Sequence, residues 1–337
     1  MGGDFAPRAP LAGALQALRE SDSSLAIQLV GRTDTINAEL DSLLAGQLSA
    51  DAKHRERIEI VEAPEVIEMS DKPSVVVRGK PNNSIAIGLK LQLESRSDAF
   101  VSAGNTGAQM AASAMLLKLH PGLTRPAIAT AFPTRGQPVV VLDAGANVDC
   151  SARELLQFAW LGAAYAECVL GRSNPSVGLL SIGEEAEKGN AVVKEANAAF
   201  ATAGFNFVGN VEGRDIPAGE CARGAIDVVV CDGFVGNVVL KFYEGVMPMV
   251  LEVLQQNGID RSQLKDVIRK FDASEYGGAP LLGVKGISMI CHGNSTPRAI
   301  ANAVKAAARA ATSGMNAQIG ERLTALAGGA AATTAAS

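Results

Sequence analysis

Short runs of β-branched and aliphatic residues recur along the chain, each stopping at a glycine-rich stretch and then giving way to an alanine- or leucine-rich pattern of helical spacing. The clearest run is Ile226-Asp227-Val228-Val229-Val230-Cys231, which ends at Asp232-Gly233-Phe234-Val235-Gly236-Asn237. Three others repeat the plan. Asp98–Val101 leads through Ser102–Gly107 into a helix over Ala108–Leu119, Pro138–Leu142 leads into Asp143–Asn147, and Val177–Ile182 leads into Gly183–Asn190. This alternation predicts the α/β class, a mostly parallel sheet covered by helices. In such sheets the loops beyond the carboxyl ends of the strands form the ligand crevice, where residues distant in sequence converge. The opening Met1–Pro7 predicts a turn leading into a helix near Pro10–Glu20, and Gly328–Ser337 is expected to be a disordered tail.

Composition narrows the function classes. A chain of 337 residues with 47% hydrophobic content can bury a large core. Its formal charge of -5 repels a nucleic-acid backbone, so any anion site must be local and no nucleic-acid partner is expected. Cys150, Cys168, Cys221, Cys231 and Cys291 include no C-x-x-C pair and no nearby histidine at ligand spacing, and they read as reduced, mostly buried thiols without metal. The chain opens with no basic-then-apolar leader, and no uninterrupted apolar run approaches the roughly 20 residues that cross a bilayer, so a cytoplasmic location is expected.

The loops carry the candidate chemistry. Ser102–Gly107 offers flexible backbone and hydroxyls just before a helix N-terminus, with Ser102, Asn105 and Thr106 as phosphate donors. Gly183–Asn190 sets Lys188 in an acidic, glycine-flanked turn, where a bound anion would meet an ammonium and free amides. A solvated Lys188 paired with Glu184 or Glu185 is the competing reading. Asp232 and Asn237 place a carboxylate and an amide at the crevice, and Asp232 could equally cap the next helix. Asn147 belongs to the same set of loop amides. Lys72, Arg78 and Lys80 gather three cations near an anionic substrate, against the alternative of a charged surface segment. Neither a P-loop nor Gly-x-Gly-x-x-Gly occurs in these loops, so the phosphate is small or free rather than a nucleotide's. His54, His120 and His292 have no nucleophile arranged beside them, and no covalent acyl-enzyme is expected.

Taken in order, MGGDFAP, SDKP with Arg78 and KPNNS, SAGNTGA, LDAGAN, GLLSIGEEAEKGN, FVGNVEGRDI, CDGFVGNVVLK, and YGGAPLLGVKG followed by CHGNS resemble the bacterial phosphate acyltransferase family over nearly the whole chain. The resemblance implies one two-lobed catalytic unit over 1–327, similar in fold to phosphotransacetylases and to isocitrate and isopropylmalate dehydrogenases. It implies a homodimer, no cofactor, and transfer of a long-chain acyl group from acyl carrier protein to inorganic phosphate, with a membrane glycerol-3-phosphate acyltransferase downstream. Family members usually carry a short apolar strand before the Met-Gly-Gly-Asp segment, and that strand is expected to be missing here. On this reading Lys188, Asn190 and Asp232 are catalytic, and Ser102, Asn105, Thr106, Asn147, Asn237, Lys72, Arg78 and Lys80 bind phosphate or substrate.

Arg261, Lys265 and Arg269, four apart on an expected helix, could dock an acidic carrier protein, against the reading of a merely solvated face. Val246–Leu254, interrupted by Pro248, ranks first as dimer interface or core and second as a peripheral membrane contact. The rival functions are a phosphate acetyltransferase using coenzyme A, a metal-dependent decarboxylating dehydrogenase, which would need clustered aspartates, and a non-catalytic membrane scaffold.

Overall fold

Glycine-rich punctuation in the sequence marks real strand ends. The structure, a computed structural model, describes residues 1–73, 75–271 and 273–323; the expected disordered tail lies outside them. In chain order the strands are β1 (Ile27–Gly31), β2 (Ile58–Glu62), β3 (Phe100–Ser102), β4 (Ala127–Phe132), β5 (Val139–Leu142), β6 (Val177–Leu180), β7 (Phe207–Val211), the small hairpin β8 (Glu220–Cys221) and β9 (Gly224–Ala225), β10 (Val228–Val230), β11 (Ala279–Leu282) and β12 (Ser288–Ile290). The helices are α1 (Arg8–Glu20), α2 (Thr33–Ala45), α3 (Val75–Arg78), α4 (Ser84–Leu93), α5 (Thr106–Leu116), α6 (Ala152–Cys168), α7 (Ala191–Ala201), α8 (Asp215–Ala218), α9 (Gly233–Gln256), α10 (Lys265–Phe271) and α11 (Pro297–Thr312).

The chain divides into two units, one of Met1–Leu119 with Ser274–Ser313 and one of His120–Ala273 with the segment from Gly314. In the first, β3 pairs in parallel with β12, which pairs antiparallel with β11, while β1 and β2 form a separate parallel pair. Helix α1 buries Leu11, Ala14, Leu15 and Leu18, the spacing of one helical stripe. It crosses α11 so closely that a Cβ on Gly13 would lie 2.6 Å from the Ile300 Cβ. A cavity of about 1010 Å³ lies alongside β1 and β3, lined by Leu29, Leu91, Phe100 and Met1 among others.

In the second unit β5, β10, β6 and β7 run parallel in that order, and β4 lies antiparallel on β5. Strands β5 and β10 are buried throughout, the continuous valine-rich reading of a sheet covered on both faces. Helix α6 begins with a capping box in which Ser151 and Glu154 satisfy each other's backbone amides. Helix α9 continues through Pro248, so the interruption expected there is absent, and by length and composition alone this helix could cross a membrane. Phe234, Val238, Phe242, Met249 and Val253 on it are all at least half exposed. The reading of Val246–Leu254 as core is therefore corrected: the segment lies on an exposed helix, where the chain leaves large apolar side chains uncovered.

Candidate active site

Register fixes the geometry of the second unit. Val230 is level with Leu142 on one side and with Leu179 on the other, so the loops after β5, β10 and β6 leave the sheet from one edge. Adjacent strands stand about 4.8 Å apart, which brings these three loops within roughly 10 Å of each other. Asn147, Asp232, Lys188 and Asn190 belong to them, while Asn237, expected in the loop after β10, lies in the second turn of α9, which already begins at Gly233.

The first loop is organised by Asp143, whose side chain is wholly buried. One carboxylate oxygen accepts from the backbone N–H of Ile128 (3.0 Å), Gly145 (3.2 Å) and Ala146 (3.0 Å); the other accepts from the backbone (2.7 Å) and side-chain (2.9 Å) amides of Asn147. Burial pushes the Asp143 carboxyl above its ordinary value, and these hydrogen bonds pull it back only in part. The Asn147 amide also donates to the Pro126 carbonyl at 2.8 Å, so its side chain holds the loop.

Helix α9 starts hard against this loop. Gly233 donates to the Asn147 carbonyl at 2.7 Å, and a Cβ on Gly236 would sit 1.9 Å from the Asp143 carbonyl oxygen, closer than any side chain tolerates. Asp232 accepts from the Val235 amide at 2.8 Å and is the N-cap, the structural role open to it from the sequence. Asn237 is exposed and lies beside Gly145, its Cβ 3.5 Å from where a side chain there would begin.

On the other side of β10, the Gly183–Asn190 turn is anchored from below. Asn210 donates to the Glu185 carbonyl at 2.7 Å and accepts from the buried Asn197 amide at 2.8 Å. Glu184 pairs with Arg214 at 3.5 Å, which removes it from Lys188. Lys188 is exposed and has no carboxylate within 4.0 Å among the described residues. Its stem folds over Gly183, where a Cβ would lie 2.9 Å from the Lys188 Cγ. Asn190 caps α7 by accepting from Val193 at 2.9 Å. Two helix N-termini, those of α7 and α9, thus open at this edge beside an ammonium, and their free amides suit an anion.

The first unit carries its own turn. Asn105 caps α5 by accepting from Ala108 at 2.9 Å, while its amide reaches the carbonyls of Glu68 (3.2 Å), Met69 (3.0 Å) and Asp71 (3.2 Å). Its side chain is thereby committed to protein partners. Ser102 accepts from Gly104 at 3.2 Å, and Thr106 is half-buried in the first turn of α5. Lys80 bonds Asp71 at 2.5 Å and the Val66 carbonyl at 2.9 Å, and holds the half-buried Asp71 carboxyl below its usual range; Lys72 and Arg78 are exposed. Met1–Asp4 threads past these loops. A Cβ on Gly3 would meet the Ala103 carbonyl at 2.5 Å, and the Asp4 amide donates to the Gly293 carbonyl at 2.9 Å.

Sequence reasoning passed over two polar groups. Asp143 appeared only as part of a loop, although an Asp directly after a valine run and four residues before an Asn was its signal. Ser181, at the end of β6, has a buried hydroxyl with no hydrogen-bond partner among the described residues. Burial and nearby carboxylates push Cys150 up to about 12, burial pushes Cys291 up to about 12 and Cys231 well above the ordinary thiol value, so these three thiols are poorly disposed to act as thiolate nucleophiles. Lys265 and Arg269 are exposed on α10, whereas Arg261, expected on the same helix, opens a separate 3-10 turn, Arg261–Leu264, and its side chain lies outside the described residues.

Strand-end loops of this kind on a mostly parallel sheet define an α/β protein of the phosphotransacylase fold. A branched-chain phosphotransacylase from Enterococcus faecalis superposes with a TM-score of 0.54 at 13% identity, covering 91% of this chain and 96% of that one. The EutD phosphotransacetylase from Staphylococcus aureus does so at 0.53 and 14%, covering 89% and 99%. In sequence, residues 1–318 match the Fatty acid synthesis protein family. The phosphate acyltransferase of Acidobacterium capsulatum is 44% identical over 94% of each chain, and that of Desulforamulus reducens 45% identical over 96% of this chain and 95% of its own. The chain belongs to the phosphate acyltransferase family and is an enzyme of that kind, acting in fatty acid and phospholipid synthesis.

Proposed function

We propose that the enzyme transfers a long-chain acyl group from the thioester of acyl carrier protein to inorganic phosphate by direct attack. A phosphate oxygen bonds to the thioester carbonyl carbon, the carbon–sulfur bond breaks, and the sulfur leaves as thiolate with its electron pair. A free thiol has a pKa near about 8.5, so the departing thiolate needs no strong acid, and the work left to the protein is positioning and charge stabilisation. Lys188, with the amides at the start of α7 and its cap Asn190, stabilises the oxyanion. Ser102 and Thr106 offer hydroxyls to phosphate, with Lys72 and Arg78 as attracting cations. Asp232 and Asn237 orient the α9 end of the edge, and Asn105, Asn147 and Lys80 hold their loops.

The observation that carries this reading is Lys188, exposed and with no carboxylate within 4.0 Å among the described residues, its neighbour Glu184 being paired with Arg214, which leaves the ammonium to an anionic ligand. The exposed apolar face of α9 we assign to a second copy of the chain ahead of a membrane surface.

The test is phosphate-dependent release of carrier-protein thiol from palmitoyl acyl carrier protein, with palmitoyl coenzyme A and phosphate-free reactions beside it. Release that needs both phosphate and the carrier is expected. Preference for coenzyme A thioesters would transfer the donor assignment, and release without phosphate would sink direct attack.

A further inference from the structure

We infer that an apolar cavity beside α9, within the second unit, receives the distal half of the acyl chain and sets the length the enzyme prefers; this rests on the reading of a long-chain acyl donor. The cavity measures about 250 Å³ and is walled by Phe132, Tyr243, Met247, Leu251, Ile268 and Phe271. The three rings brace one another: Phe132 and Tyr243 meet edge to face at 5.5 Å, and Tyr243 and Phe271 lie 6.2 Å apart. The Tyr243 hydroxyl donates to the Pro133 carbonyl at 2.7 Å, which satisfies the one polar atom of that wall and leaves its ring to face hydrocarbon. Thr130 and Glu244 supply the remaining polar lining.

Position selects the occupant. Helix α9 leaves the catalytic edge at Gly233 and carries the cavity wall from Leu240 to Leu251. At about 1.5 Å per residue those side chains lie roughly 10 to 27 Å along the helix from that edge. On the sheet side, Thr130 is one residue from Ala129, which is paired with Leu142 just before the Asp143 loop. A tetrahedral hydrocarbon of about 1.5 Å bonds advances about 1.25 Å per carbon, so about eight carbons span the distance from the edge to Leu240. The cavity then holds about eight methylene-sized groups, each close to a water's roughly 30 Å³ share. A chain of about sixteen carbons uses both. A short acyl group reaches the edge and leaves the cavity empty.

The experiment measures kcat/KM for carrier-protein thioesters of eight, twelve and sixteen carbons in the wild type and in Thr130→Phe and Leu251→Trp; Thr130 shares the Phe132 face of β4, so the two enter the cavity from the strand side and the helix side. Each excludes two or three methylenes from burial, so the sixteen-to-eight selectivity ratio should fall about tenfold or more, with the optimum moving to shorter chains. Two variants from opposite walls guard against one failing to fold, and thermal unfolding of both identifies that case. An unchanged ratio in a folded variant, or an equal loss at all lengths, would overturn the assignment. Failure of the donor reading shows differently, as wild-type preference for coenzyme A thioesters, and the same ratio is then read on those.

Discussion

At Asp143 a single carboxylate satisfies five donors from four residues, the backbone amides of Ile128, Gly145, Ala146 and Asn147 and the Asn147 side chain. Asp143→Asn would turn an amide nitrogen toward the two donors of Asn147 and leave them unsatisfied in a buried place, at a cost of about 2–3 kcal/mol. Urea unfolding of the two proteins measures this. The pH dependence has a fixed sign. Because the native carboxyl is raised above 3.8, its protonation favours the folded state, so that contribution is full below 3.8 and is lost as pH rises through the raised native value. Asn cannot titrate, so the wild-type advantage over Asp143→Asn should shrink across that window; an advantage that grows with pH would refute the direction. Lys188 makes the opposite kind of residue, exposed and with no carboxylate within 4.0 Å among the described residues. Lys188→Ala should lower kcat by about a hundredfold to a thousandfold without moving the unfolding midpoint, and normal turnover would remove Lys188 from catalysis. Lys188 was legible because a lone cation in an acidic, glycine-flanked turn stands out locally. Its release from Glu184 was not, since Arg214 lies thirty residues further along and arrives only through the turn after β7.

Glycines in α9 separate what a helix needs from what its neighbours need. Gly245 has nothing within 4 Å of a built Cβ, so Gly245→Ala should stabilise the protein by up to about 1 kcal/mol through helix propensity. Gly236, one turn from the N-cap, would drive its Cβ into the Asp143 carbonyl at 1.9 Å. Gly236→Ala should cost several times more than Gly245→Ala gains, and should lower activity by shifting Asp232 and Asn237 off the strand-end edge. Chemical unfolding and turnover of the pair check both signs; equal effects would mean that α9 is not seated by this contact. The element pattern itself was readable, because buried parallel strands must be nearly continuous valine and isoleucine and must stop where glycine lets the chain turn. IDVVVC became β10 over Val228–Val230 only, as Ile226 and Asp227 serve the β8–β9 hairpin and Ser176 instead. Pro248 misled for a physical reason. Proline breaks a helix by losing a hydrogen bond and crowding the preceding turn, yet in an exposed helix both can be absorbed, and α9 continues through it.

For the molecule as a whole, net charge and local charge point in different directions. The chain carries -5, so the carrier-protein donor proposed above, being acidic, would meet overall repulsion and would need a local basic patch. Lys265 and Arg269 stand four residues apart on α10, the spacing that places two side chains on one helix face, and both are exposed. Exposed charges of this kind add little to stability, so their replacement tests docking without disturbing the fold. Lys265→Ala together with Arg269→Ala should raise KM for acyl carrier protein severalfold and leave kcat and the unfolding midpoint in place. The same KM should rise with salt in the wild type, because a Debye length of about 10 Å at 0.1 M screens attraction between surface charges. The double variant should lose most of that salt dependence, since the charges that made it are gone. If wild type and variant share one salt profile, α10 is a solvated face and the carrier docks elsewhere; if kcat falls with KM unchanged, these cations act on the acyl transfer step rather than on encounter.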